Sequence, residues 1–166
     1  MKNFLFVTII LIQTFALSFQ TQYTLQDNLY YFKCKANKHV LDIENEKITN
    51  GINLIVYKYH SGTNQHFHLT NVGQDYVTLV ADNSNLALTA VDGPGVKIIQ
   101  QFPLTGSNTQ LFKFIKTKDG YYMIQNQETG LFIDCNSSYQ TPHPNRFAIL
   151  TEKQCTKSFK FSVHKV

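Results

Sequence analysis

Between positions 42 and 67 the chain gathers side chains able to hold a hydroxyl-rich ligand: a carboxylate at Asp42, an aromatic ring at Tyr57, and amides at Asn64 and Gln65. A carboxylate accepts hydrogen bonds from two neighbouring hydroxyls, and an amide both donates and accepts. An aromatic face covers an apolar patch of C–H groups, adding area burial and weak contacts. The histidines nearby make a poorer set. Zinc wants three or four ligands at about 2.0–2.1 Å, and no Cys or Glu completes His60, His66 and His68. Strand alternation around Phe67 also turns His66 and His68 away from the core, with His60 left beside the turn to touch a ligand. No metal and no cofactor are expected.

The elements that position these groups belong to a 166-residue chain, 43% hydrophobic and 16% charged, with 13 Phe, 9 Tyr and no Trp. That length suits one domain with one sizeable core, and so many aromatics rule out a disordered chain. A net charge of +4 without a basic block argues against nucleic acid as a partner. Gly-rich phosphate loops, CxxC, HExxH and GxSxG are all absent, so no enzyme is expected.

Positions 1–18 read as a signal peptide: Lys2 in a short n-region, an apolar run over 4–17, and small residues at Ala16 and Ser18. The apolar run is too short to span a bilayer, so the mature form has no transmembrane segment. The expected product is secreted, or luminal in the secretory pathway, as a single domain over 19–166. Asn136-Ser137-Ser138 is an N-glycosylation sequon. Three cysteines, Cys34, Cys135 and Cys155, allow at most one internal bridge.

Three sets of apolar anchors recur at 45 or 47 residues: Phe67, Phe112 and Phe159; Leu41, Leu88 and Ile133; Phe32, Leu79 and Ile124. Each repeat, about 28–73, 74–119 and 120–166, reads as four short strands between turn residues. The expected strands are 30–34, 39–43, 54–57 and 65–69, then 76–80, 86–90, 96–102 and 110–115, then 121–125, 131–135, 146–150 and 158–163. The class is all-β, with twelve short strands in three fours.

Leu41-Asp42-Ile43, Asn50-Gly51 and Asn64-Gln65-His66-Phe67, in repeats of this length, resemble the ricin-B-type β-trefoil lectins. That family is marked by a Leu-Asp-Val strand and a Gln-x-Trp late in each repeat. Here Phe replaces every Trp, and Lys157 stands where the third Gln belongs. The resemblance implies three pseudo-symmetric four-strand repeats and a carbohydrate-binding protein of galactose or N-acetylgalactosamine type. Its partners would be glycans on glycoproteins or glycolipids.

The same resemblance implies one main site in the first repeat, with Asp42, Tyr57, Asn64 and Gln65 as the sugar-binding residues. Ile55 replaces a Gln that the family often places two residues before the aromatic. The second repeat keeps Gln100, Phe102 and Gln110 but has Thr89 and Thr109 for the acid and the Asn. The third keeps Asp134, with Ile149 at the aromatic's place and Thr156 at the Asn's; Phe147 would substitute after a two-residue slip. Asp42 with Glu44, or Asp42 with Asp134, would suggest a glycosidase acid/base pair, but Asp42 and Asp134 lie in different repeats and face different ways, which weakens that reading. The family geometry brings Cys135 and Cys155 beside the third site and implies a bridge between them. A Cys34–Cys155 bridge and three free thiols are the alternatives. A competing function is a trefoil that binds no sugar and serves as a secretory structural, protein-interaction or inhibitor protein.

Overall fold

Apolar residues at every second position make strands with one face on a core. The first such run is β1 (Asn28–Cys34), which buries Tyr30, Phe32 and Cys34 and turns Leu29, Tyr31 and Lys33 outward. The computed structural model describes residues 25–135, 146–152 and 156–166. The expected signal peptide, Asn136 and Cys155 lie outside the described residues.

The strands after β1 are β2 (Val40–Ile43), β3 (Ile52–Tyr57), β4 (Phe67–Gly73), β5 (Tyr76–Ala81), β6 (Ala87–Asp92) and β7 (Lys97–Phe102). They continue as β8 (Phe112–Lys116), β9 (Tyr122–Asn126), β10 (Phe132–Asp134), β11 (Arg146–Phe147), β12 (Ile149–Thr151) and β13 (Phe161–Lys165). The fold is all-β, and among the described residues no helix is long and apolar enough to cross a membrane. Among the described residues thirteen strands appear where twelve were expected. The extra one arises at Ala148, whose N–H leaves the ladder to donate to Leu54 O at 3.1 Å and splits the expected 146–150 strand.

Every pairing is antiparallel. Strands β1, β4, β5, β8, β9 and β13 pair in that order and close back on β1. The hairpins β2–β3, β6–β7 and β10–β12 are joined to one another through β3–β7, β7–β12 and β3–β11. Phe32, Leu79, Ile124, Leu41, Leu88 and Ile133 all lie fully inside the resulting core.

The third set of anchors needs a correction. Phe67 faces Tyr30 and Ala81, and Phe112 faces Val77 and Asn126. The residue that faces Tyr122 and Cys34 in the same way is Phe161, not Phe159. Backbone bonds agree: the carbonyls of His66, Leu111 and Lys160 accept from Asp82, Gln127 and Lys35 at 2.9, 2.9 and 2.8 Å. Phe161 joins the main core, whereas Phe159 packs with Met123 and Phe132 in a smaller cluster. A slip of two keeps every side chain on its face, so Phe159-Lys160-Phe161 offers two equally apolar frames.

The expected Cys135–Cys155 bridge is also corrected. Cys34, at the end of β1, is bonded to Cys135, just after β10, with Cα atoms 6.2 Å apart. That separation lies within the range a disulfide requires, and both cysteines are fully buried. Cys34 is therefore not the spare thiol. The register explains the pairing: Phe161 lies opposite Cys34, and the chain just before it, at Ser158, holds Cys135 N–H through its carbonyl at 3.0 Å.

Candidate functional site

In β2, Leu41 and Ile43 point into the core, so alternation puts Asp42 on the other face, opposite Ile55 of β3. The 3-10 turn Thr63–Gln65 then folds over it and buries it. Gln65 is fully buried and does the positioning. Its Nε2 donates to Asp42 Oδ2 at 2.7 Å and to Lys58 O at 2.9 Å, while its Oε1 accepts from His60 N–H at 2.9 Å. One amide thus fixes the carboxylate and the 58–60 loop together.

Asn64 is 2% exposed. Its Nδ2 donates to Ile43 O at 3.1 Å. A carbonyl only accepts, so that contact decides which end of the amide faces the backbone. The Oδ1 is left buried with no hydrogen-bond partner among the described residues. Tyr57, the last residue of β3, is 49% exposed and meets the His60 ring edge-on with centroids 6.2 Å apart. His60 Nε2 lies 3.5 Å from Asp42 Oδ2.

These groups line one cleft of about 250 Å³, formed by Asp42, Asn45, Glu46, Ile55, Tyr57, His60 and Asn64. The structure therefore brings Asp42, Tyr57 and Asn64 together and places Gln65 behind them as their support. Burial pushes the Asp42 carboxyl above the usual carboxylate range, against the opposing pull of the Gln65 hydrogen bond, His60 and Asn64. An exposed ring beside a buried carboxylate and an unpaired carbonyl can cover an apolar ring face and accept from adjacent donors.

Asn45, Glu46 and Gly62 were not singled out in the sequence. Asn45 and Glu46 sit in the rim loop after β2 with φ of 57° and 56°, a left-handed conformation that turn residues visit and that carries no periodic signal. Side chains distant in sequence hold this loop. Gln101 Nε2 donates to Lys47 O at 3.0 Å and Thr49 O at 2.8 Å, Asn83 Nδ2 donates to Glu46 O at 3.2 Å, and Asn53 Nδ2 donates to Glu44 Oε2 at 3.2 Å. Glu44 is thereby turned to Asn53 and is not part of the cleft wall. Gly62 has an ordinary φ of −70°, so its backbone needs no glycine. Space does: a Cβ there would lie 2.5 Å from Asn64 Oδ1 and 2.6 Å from His60 Cε1.

The counterparts of this site keep the frame and lose the chemistry. Gln110 repeats the clamp, donating to Thr89 Oγ1 at 3.0 Å and Pro103 O at 2.8 Å and accepting from Thr105 N–H at 2.7 Å. Its partner is a hydroxyl, and no carboxylate stands there. In the third repeat Ile149 faces Asp134, as Ile55 faces Asp42 and Gln100 faces Thr89. The position of Tyr57 and Phe102 falls on Thr151, and that of Asn64 and Gln65 on Ser158 and Phe159, two residues later than the sequence reading placed them. Phe147 pairs with Ile55 in β11–β3 rather than replacing the missing aromatic.

His66 departs from the expected outward orientation. It is 7% exposed, because β4 begins only at Phe67 and the alternation does not reach back into the turn. Burial lowers its imidazole below the usual range. His68 does face outward and pairs with Asp82 at 2.8 Å.

A family model described as ricin-type beta-trefoil lectin domain-like matches residues 13–101. No curated protein matches the chain. Among solved structures, ThreeFoil, a designed three-fold symmetric protein, is 23% identical with a TM-score of 0.76 and covers 84% of this chain and 100% of its own. The exo-beta-1,3-galactanase 1,3Gal43A from Clostridium thermocellum is 22% identical with a TM-score of 0.75 over 87% of this chain, which spans only 31% of that protein. The Macrolepiota procera ricin B-like lectin, solved in complex with lactose, is 17% identical with a TM-score of 0.70 and covers 87% of this chain and 99% of its own. At these identities the likeness is one of fold.

Proposed function

The chain belongs to the ricin-type β-trefoil lectin domain-like family, and on that premise we propose that it is a secreted carbohydrate-binding protein of galactose or N-acetylgalactosamine type. Its main sugar site is the Asp42 cleft of the first of three pseudo-symmetric four-strand repeats. The mature protein is one β-trefoil domain over 19–166, released from a signal peptide at 1–18, and it binds without catalysis.

The observation that carries this reading is the buried Oδ1 of Asn64, without a partner among the described residues, on a residue that lines one cleft with the Asp42 carboxylate and the exposed ring of Tyr57. A buried acceptor without a donor costs about 1–3 kcal/mol, a cost that a ligand hydroxyl removes. Asp42 accepts from neighbouring hydroxyls, Tyr57 covers the C–H face of the ring, and Gln65 holds the carboxylate in place. A glycan array comparing wild type with Asp42→Ala tests the assignment. Binding of terminal galactose-type glycans by the wild type and its loss in the variant is the expected result. Absence of glycan binding by the wild type sinks the reading, and favours a protein-interaction role.

A further inference from the structure

We propose that the cleft selects a sugar bearing a free amino group over neutral sugars and rejects sugars bearing a carboxylate or sulfate, with Glu46 setting that selectivity. The inference rests on the sugar-binding reading and deepens it.

The polar inventory of the cleft is weighted towards acceptors. Asp42 and Glu46 both line it, and among the described residues neither Lys nor Arg does. Asn64 adds an acceptor, because one Nδ2 hydrogen is held by Ile43 O, the amide also bonds the Asp42 carboxylate, and its buried Oδ1 has no partner among the described residues. The Gln65 amide, which would otherwise supply donors, is committed to Asp42, Lys58 and the His60 N–H. Among the described residues His60 is the only basic side chain in the wall, and its Nε2 faces Asp42. An ammonium group brings three donors and a positive charge to such a set, whereas a hydroxyl brings one donor and no charge. A carboxylate or sulfate brings acceptors and negative charge against two carboxylates, which repel it.

The position of Glu46 is built. The bonds from Asn83 to its own carbonyl and from Gln101 to Lys47 O and Thr49 O hold a loop whose residue 46 has a φ of 56°. Gln101 is fully buried, so the second repeat, which lacks a carboxylate of its own at Thr89, braces the acidic rim of the first.

Calorimetric titration of the full-length secreted protein with galactose, galactosamine and galacturonic acid tests the proposal. The work is done at about pH 7, below the ordinary α-amino range, so that the amino group of galactosamine carries its charge. At about 50 mM salt galactosamine is expected to bind about five- to tenfold more tightly than galactose, and galacturonic acid more weakly than either. The galactosamine-to-galactose ratio is expected to shrink at about 500 mM salt, to fall to about two in Glu46→Gln, and to invert in Glu46→Lys. A ratio near one in the wild type, or one that neither salt nor Glu46→Gln alters, overturns the selectivity while galactose binding leaves the sugar-binding reading standing. Failure of all three sugars to bind overturns both. The salt series uses unaltered protein, so the outcome does not depend on a variant folding.

Discussion

Gln65 Nε2 sits 2.7 Å from Asp42 Oδ2, and this bond ties the two halves of the site: the end of β2 and the turn that closes over it. Gln110 makes the same connection to Thr89 at 3.0 Å. The recurring Gln is thus a structural clamp, and what distinguishes the first repeat is the group it clamps. Gln65→Leu leaves the Asp42 carboxylate and the His60 N–H without their partner. It is expected to destabilise by about 2–4 kcal/mol and to abolish binding. Gln110→Leu is expected to cost about 1–3 kcal/mol with sugar affinity retained. Chemical denaturation and titration of both variants check the contrast.

Gly62 separates site from fold in another way. Its backbone is ordinary, but the added methyl meets the buried Asn64 that holds Ile43 O, so Gly62→Ala is expected to cost no more than about 1–3 kcal/mol, the loss of one buried hydrogen bond. The added methyl group, which would stand 2.5 Å from Asn64 Oδ1, displaces Asn64 or His60 and is expected to weaken sugar binding about tenfold or more. A cooperative melt lowered by no more than that amount beside a weakened titration is the result to look for.

The pH dependence of binding follows from Asp42. Burial raises its folded-state pKa above 3.8, so between 3.8 and that raised value the folded chain holds a proton that the unfolded chain does not. The stability this contributes is present below the ordinary value and is lost as pH rises through the folded value. Binding runs the opposite way, since accepting from two hydroxyls requires the carboxylate. Affinity is expected to fall on acidification with a midpoint above 3.8 that Asp42→Asn removes. Titrations along a pH series, with unfolding measured in parallel, test both signs.

Phe161→Ala is expected to cost about 3–5 kcal/mol, as are Phe67→Ala and Phe112→Ala, because each removes a fully buried ring from the shared core. Phe159→Ala empties the smaller cluster with Met123 and Phe132 and is expected to cost less than Phe161→Ala. Denaturant midpoints of the four variants rank them.

The Cys34–Cys135 bridge joins residues 101 apart in sequence. A loop of that length constrains the unfolded chain by about 4–5 kcal/mol in the chain-entropy account. Non-reducing peptide mapping is expected to yield a crosslink containing Cys34 and Cys135, and reduction is expected to lower the unfolding midpoint. A crosslink between Cys135 and Cys155 would contradict the assignment.

The strands and the core were legible because both rest on short-range alternation and on anchors such as Leu41, Leu88 and Ile133, which recur at 45 or 47 residues and are all fully buried. Asp42, Tyr57 and Asn64 were legible for the same reason: each sits at a strand end or turn fixed by that frame. The third repeat was misread where Phe159 and Phe161 offer two apolar frames, which only the pairing of Phe161 with Cys34 and Tyr122 separates. Glu46 was invisible because what holds it, Asn83 and Gln101, lies 37 and 55 residues away and acts through backbone carbonyls. No local pattern carries that information. The same holds for the disulfide, whose partners meet only once β1 and β13 pair.

The most direct measurement is a crystal structure of the protein soaked with galactose. The sugar is expected in the first-repeat cleft, its C–H face on Tyr57, two hydroxyls on Asp42 and one donor on Asn64 Oδ1, with the Gln65–Asp42 bond still in place. A sugar bound instead at the Thr89 or Asp134 counterparts, or an empty Asp42 cleft at saturating galactose, would contradict it.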